Sequence, residues 1–296
     1  MSRLYLAVIS TLCFLLFNCG GGKYCLNPVV VKNSINIKKD LINNEVELKL
    51  DGQKTVITRS DMFEVKGYFK QYNKYVYITD TAETKIRCYD KDNNVLWTYP
   101  KDNKPYRTLT MSVYAGRHES FVILLEWILK DNANEDLQSA RILDEDGNTV
   151  NQFILPGLGS VYKYYFTDLS AHTIFGKTYL IGRGGDGIGI FDFDNGKLIT
   201  YLYSKEAAPK DPEIIELVKN GKRYVVFYTD LRSYARSSKI FILSDQWELL
   251  YEELLPRGWD FGKTAGNDDS FIVKTYEFKD CQHTGKKFIW KYTINP

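Results

Sequence analysis

Four carboxylates stand at matching places in this chain. Asp61, Asp168, Asp211 and Asp260 each come just before a short apolar run, and Arg107 takes the corresponding place in one further unit. If those runs line a common axis, the acids gather at one mouth. Hard oxygen ligands brought together in that way would hold a divalent cation or a cationic ligand. Taken singly, they are solvated turn residues at strand beginnings.

Other chemistry is poorly provided for. The chain has three histidines, His118, His172 and His283. No G-x-S-x-G nucleophile elbow occurs, and no Cys/His set has zinc spacing. The stretches DKDNN (90–94), DEDGN (144–148) and DFDNG (192–196) set acids two apart, as a calcium loop does. An EF-hand loop also needs a closing Glu and flanking helices. These have strands on both sides, so they read as turns whose Asp and Asn bond the local backbone. GRGGDG (182–187) spells the dinucleotide fingerprint, but IGIFDF follows it. A dinucleotide site needs a helix there, with its N-terminus facing the pyrophosphate. The glycines read instead as a tight hairpin bend. His172 falls in a candidate innermost strand and reads as a hydrogen-bonded structural residue.

What would position these groups is a repeat of short strands. RCYDKDNNVLWTYP (87–100) has relatives in ARILDEDGNTVNQF (140–153), GIFDFDNGKLITYL (189–202), KLDGQKTVIT (49–58) and FILSDQWELLYEEL (241–254). Each is an apolar run, an acidic or amide turn, and a second run, which is a hairpin signal. Apolar strands precede the turns: KYVYITD (74–80), SFVILLE (120–126), TYLIGR (178–183), YVVFYTD (224–230) and SFIVKTY (270–276). Before each stands one more candidate strand: MFEVKGYF (62–69), LTMSVYA (109–115), LSAHTIF (169–175), EIIELV (213–218) and WDFGKTA (259–265). About four strands per unit, repeated along the chain, describe an all-β, single β-propeller. Counting KKFIWKYTINP (286–296) as the start of a last unit gives six four-stranded blades, with five as the alternative. The stretch 27–58 would supply a missing outer strand and so cover open edges.

KIRCYDKDNNVLWTY (85–99) resembles the quinoprotein-type (PQQ-type) propeller repeat, with Trp97 in the Trp place. The resemblance runs loosely from Glu45 to the end, with Phe, Ile or Leu in the Trp place elsewhere. It implies a propeller, and that class includes lipoproteins that act as scaffolds in outer-membrane assembly. The quinone does not carry over, because neither an adjacent Cys pair nor a set of cofactor ligands is present. The cofactor is therefore left unassigned.

The N-terminus supplies an address. Arg3 precedes an apolar run from Leu4 to Phe17, which has signal-peptide length. LFNC (16–19) resembles the bacterial lipoprotein signal, with Leu16 three residues before Cys19 and Asn18 where the family prefers Gly, Ala or Ser. The resemblance implies a signal peptide over 1–18, a diacylglycerol on Cys19, a glycine-containing tether over 19–27, and a propeller domain over 28–296. Acyl chains, palmitate among them, hold a protein to a membrane with about 0.8 kcal/mol per buried methylene. The expected location is the extracytoplasmic side of the cell envelope, the outer membrane before the inner.

Composition agrees with a packed β domain: 44% of residues are hydrophobic and 15% aromatic. Lys plus Arg number 39 against 37 Asp plus Glu. That balance gives no basic face for nucleic acid. Cys25, Cys88 and Cys281 remain after the signal, an odd number, and any pair of them is open to a disulfide. The expectation is a monomeric propeller that acts as a binding or scaffold module for a protein partner in the envelope. The competing readings are a metal-dependent, lactonase-like hydrolase with its site at the mouth, and a surface adhesin.

Overall fold

The computed structural model describes residues 29–42, 48–49, 56–59, 70–72, 75–80, 85–90, 92, 94–100, 106–115, 120–128, 137–155, 166–204, 208–231, 237–264, 268–279 and 282–295. Among them there are 23 strands and no helix. Four come from the N-terminal stretch: β1 (Val29–Asn33), β2 (Asn36–Ile42), β3 (Leu48–Lys49) and β4 (Val56–Arg59). Then come β5 (Lys70–Tyr72), β6 (Tyr75–Asp80), β7 (Lys85–Asp90) and β8 (Val95–Tyr99), which form the first sheet in that order. The second sheet is β9 (Tyr106–Ala115), β10 (Ser120–Ile128), β11 (Leu137–Leu143) and β12 (Thr149–Ile154). The third is β13 (Asp168–Ile174), β14 (Lys177–Arg183), β15 (Gly187–Asp192) and β16 (Leu198–Tyr203). The fourth is β17 (Glu213–Lys219), β18 (Lys222–Asp230), β19 (Ser237–Ser244) and β20 (Leu249–Pro256). The fifth takes β21 (Gly258–Thr264), β22 (Ser270–Lys279) and β23 (Gln282–Asn295).

These are the antiparallel meander sheets of a β-propeller, and the described residues form five of them. Among the described residues the count matches the alternative of five, not the favoured six. KKFIWKYTINP belongs to β23, the third strand of the fifth sheet, and β2 pairs along it from Asn36↔Asn295 to Ile42↔Ile289. The N-terminal stretch thus completes the last blade, as its sequence led us to expect. It also adds β1 to the outer edge of β20, giving the fourth sheet a fifth strand. The described ends of the hairpin expected over 49–58 do not pair with each other. β3 pairs with β21 and β4 with β9, so the two halves of that segment lie on the inner edges of different sheets. Turn chemistry alone does not hold two strands together when each finds a better edge elsewhere.

The central strands read as unbroken apolar runs because both faces are buried. In β10, Val122 and Leu124 pack with Ile86, Cys88 and Trp97 of the first sheet. Their neighbours Ile123 and Leu125 face the other way, onto Leu169, Leu180 and Phe191 of the third. The same alternation recurs in β18: Val225 and Phe227 meet Ile181, Ile188 and Ile190, while Val226 meets Phe261, Phe271 and Val273. Alternate side chains on a strand point to opposite faces, so each strand serves two cores. Glu126 interrupts the β10 run without reaching solvent. Arg141 Nε donates to it at 2.9 Å and the Tyr99 hydroxyl at 2.8 Å. A buried carboxylate persists only when it is paired and hydrogen-bonded in this way.

The Asp turns are local caps, as their sequence suggests. Asp90 Oδ1 accepts the backbone N–H of Asp92 and Asn94, and Asp144 repeats this with Asp146 and Asn148. The turns headed by Asp144 and Asp192 also receive a side chain from the preceding sheet. Trp97 Nε1 donates to the Glu145 carbonyl at 2.8 Å, and its ring lies on Gly147. In the next blade two residues divide that task. Asn151 donates to the Asp194 carbonyl at 2.7 Å, and Phe153 lies on Gly196. At the third join the bulk moves across. Ile199 stands in the outer strand, and Trp247 occupies the turn at φ 64°, packed on Tyr179 with ring centroids 4.6 Å apart.

Candidate functional site

Of the acids singled out above, Asp168, Asp211 and Asp260 lie at or within two residues of the starts of innermost strands, and the structure brings some of them together. Asp168 is the first residue of β13 and lies opposite Arg183 at the end of β14. The two side chains form a buried ion pair. The Arg183 guanidinium also reaches Asp211, just ahead of β17, at 2.6 Å. One arginine therefore bridges the third sheet to the fourth. Its Nε is directed at Thr167 Oγ1, 3.3 Å away, so the fork is fixed on several sides. Asp260, in β21, is paired across the strands with Lys274, whose Nζ lies 3.2 Å from the carboxylate. Cys19 and Asp61 lie outside the described residues, as do Cys25 and Cys281.

A second cluster sits beside these. Asp230, at the end of β18, accepts from Ser238 Oγ at 2.6 Å and faces Arg257 at 3.5 Å and Lys210 at 3.7 Å. Ser238 in turn accepts the Gly258 N–H and the Tyr228 hydroxyl, both at 2.9 Å. Gly258 is required there, because a Cβ would collide with the Tyr228 oxygen. Glu213 opens β17 and keeps contact with solvent. Close packing around its carboxyl, together with the charges of Asp230 and Asp260, pushes its pKa up to about 7. Burial costs the charged form its hydration, and nearby like charges add to that cost. The same cause acts in the opposite direction on His172. Burial lowers its pKa to about 4, and its Nε2 lies 3.0 Å from Ser170 Oγ.

Sequence reasoning missed Arg183, Glu213, Asp230 and Lys274. Arg183 lies within GRGGDG, a stretch that draws attention to its glycines. Those glycines do make the expected bend, since Gly184 N–H donates to the Gly187 carbonyl at 2.8 Å between β14 and β15. They also make room for aromatic rings. Cβ atoms at Gly182 and Gly189 would press on Phe166 and Phe191, and one at Gly187 on Tyr201 and the Leu202 carbonyl. No group of three or more metal-ligating His, Cys, Asp or Glu side chains is found among the described residues. What the arrangement offers chemically is a rim of fixed, alternating charges, with one carboxyl able to change state near neutrality. Farther out, a crevice of about 170 Å³ is lined by Leu255, Thr275, Tyr276, Phe288 and Trp290 and by the charged Lys39 and Glu277.

No protein-family model matches the chain, and no curated protein matches it. Solved structures similar to it include a subtype N11 neuraminidase-like protein from a flat-faced bat isolate, at 9% identity and TM-score 0.38, covering 74% of this chain and 70% of that one. Another is Hsv2 of Kluyveromyces lactis, at 12% identity and TM-score 0.30, covering 77% and 84%. A third is a GH32 beta-fructofuranosidase of Bombyx mori, at 11% identity and TM-score 0.33, covering 76% and 57%. Similarity at this level transfers no activity. The propeller assignment rests on the sheet order and on the cores that successive sheets share.

Proposed function

We propose that this chain is a lipid-anchored extracytoplasmic protein whose propeller serves as a binding or scaffold module. One observation carries the binding reading. Of the acids that could have formed a cation site, the three described are already ion-paired, Asp168 and Asp211 sharing Arg183 and Asp260 with Lys274. An incoming cation would have to displace these partners. A rim of interspersed charges suits recognition of a partner's polar surface, where complementarity sets orientation and selects against wrong partners. The aromatic crevice offers a place for an apolar anchor side chain, the usual centre of such a contact. The anchor itself is read from LFNC and the apolar run before it.

Two measurements test this. Divalent metal content of the dialysed protein is expected to be the same in wild type and in the Asp168→Asn/Asp260→Asn variant. A tightly held ion lost in that variant would overturn the binding reading in favour of a metal-dependent hydrolase. Labelled palmitate is expected in the wild-type chain and absent from Cys19→Ser. Equal labelling of the two would remove the anchor.

A second reading has its own observation. Glu213, with a pKa of about 7 beside Asp230 and Asp260, has the proton affinity of a general acid–base at neutral pH. A hydrolytic activity lost in Glu213→Gln would favour that reading.

A further inference from the structure

The N-terminal stretch does more than cover edges. β1 lies on the outer side of the fourth sheet and β2 on that of the fifth, and Ser34 and Ile35 carry the chain across between them. Ser34 pins the crossing: its N–H and its Oγ both donate to the Leu250 carbonyl, at 2.7 and 2.8 Å. Ile35 packs against the core that the two sheets share, to which Tyr224 belongs. Over this floor a cleft of about 400 Å³ stays open. Its walls come from three parts of the chain. Asn33 and Asn36 stand on either side of the crossing, Lys222 begins β18, and Asn295 ends β23, opposite Asn36 in the register. The cleft lies at the end of β17 remote from Asp211 and Glu213, and it shares no residue with the aromatic crevice.

The polar groups around this cleft are unengaged. Among the described residues, the side chains of Asn33, Asn36, Asn295 and Lys222 and the Tyr224 hydroxyl make no hydrogen bond or ion pair. Lys219, on the other side of the same turn, is paired with Asp269, so Lys222 is the cation that the turn leaves for something else. The lining also indicates a ligand class. A carboxamide both donates and accepts, as a pair of neighbouring sugar hydroxyls requires. Three carboxamides and a phenol therefore suit a polyol, and the apolar Ile35 suits the C–H face of its ring. Lys222 supplies one positive charge, and no carboxylate is among the described residues of the lining. A polyphosphate would call for several cations, and an apolar ligand for a lining rich in carbon.

We propose that this cleft binds an acidic sugar, a pyranose with one carboxylate, its hydroxyls on Asn33, Asn36 and Asn295 and its carboxylate on Lys222. This goes beyond the function proposed above, which uses other residues. The ligand joins the N-terminal crossing to β18 and to the end of β23, and binding to the folded chain alone raises its melting temperature.

The test uses the full chain purified in detergent. Glucuronate and galacturonate are the probes, glucose and galactose their neutral counterparts, and acetate the bare charge. At least one acidic sugar is expected to raise the melting temperature and to give a saturable calorimetric titration, about tenfold tighter than its neutral counterpart. Lys222→Gln is expected to abolish that preference. Asn36→Ala/Asn295→Ala is expected to weaken acidic and neutral sugars alike. Both variants should melt as the wild type does without ligand, because all three side chains are exposed. The trisaccharide of galacturonate separates two sources of the same chemistry. Tighter binding than the monomer supports the proposal with a polysaccharide as the source, and weaker binding supports it with the free acid. Three results would overturn the proposal. One is that neither acidic sugar binds at millimolar concentration. Another is binding that both variants leave unchanged. The third is acetate raising the melting temperature as much as the acidic sugars do, which reduces the site to an anion effect.

Discussion

The outer turns and the starts of the innermost strands are fixed by different means. At the turns, rings pack on shaped surfaces: Trp97 on Gly147, Phe153 on Gly196, and Trp247 of the turn on Tyr179. At the starts of the innermost strands, charge meets charge: Arg183 pairs with Asp168 in its own sheet and with Asp211 of the next, and Lys274 pairs with Asp260 inside the fifth sheet. The first kind of contact is set by shape and does not depend on pH. The second depends on protonation and, where exposed, on salt. The propeller is therefore fixed by shape at its turns and is open to pH at its strand starts.

The sharpest contrast lies at the strand starts. Arg183→Met leaves the buried Asp168 without its cation and is expected to destabilise the fold by roughly 3–5 kcal/mol. Asp211→Asn breaks the other half of the bridge, but that carboxylate is 55% exposed. Its loss is expected to cost under about 1 kcal/mol. Urea unfolding of both variants checks this. Equal effects would mean that Arg183 is held by its surroundings and not by Asp168.

Gly196→Ala breaks the other region. Its φ is 68°, and a Cβ would run into the Phe153 ring. Strain and overpacking together predict a loss of roughly 2–3 kcal/mol, unchanged from pH 5 to pH 8. Gly176 has φ 79°, but a methyl group added there would meet nothing within 4 Å. Gly176→Ala therefore isolates the backbone term and is expected to cost about 1 kcal/mol. Thermal melts of the two variants measure the difference, which is the contribution of the ring contact.

The remaining contrast is a pair of opposing pH slopes. His172 has its pKa lowered by burial to about 4 from 6.5. The unfolded chain then binds more protons in that window, so His172 removes stability as pH falls from 6.5 toward 4. Glu213 has its pKa raised to about 7 from 4.5. The folded chain binds more protons between those values, so Glu213 removes stability as pH rises from 4.5 toward 7. His172→Gln should flatten the acid side of the stability profile, and Glu213→Gln should flatten the fall in stability toward neutrality. A profile that neither variant alters would remove both groups from the account.

The sequence contained the fold in local signals. Asp-headed turns at 90, 144 and 192, and runs such as SFVILLE, place strands because turn chemistry and side-chain alternation act over a few residues. The sheet count was not legible in the same way. β23 looks like the start of a sixth blade until β2, at the other end of the chain, is seen to pair with it. The segment 49–58 carries a good hairpin pattern, yet its halves go to different edges. Local pattern says that a strand exists, and pairing between distant strands says where it belongs.

For the site, residue types and spacing alone determined that Asp168, Asp211 and Asp260 stand near the starts of innermost strands, that the Asp turns at 90, 144 and 192 are caps, and that GRGGDG is a bend. Tertiary structure decided what those acids do. Arg183, fifteen residues beyond Asp168, lies opposite it in the register of β13 and β14 and also reaches Asp211 of the next sheet. Glu213 acquires its altered proton affinity from packing and from Asp230 and Asp260, which lie on two other strands. The reason is physical. A charge interacts through space with whatever the fold brings near it, and no property of its own stretch of chain records that.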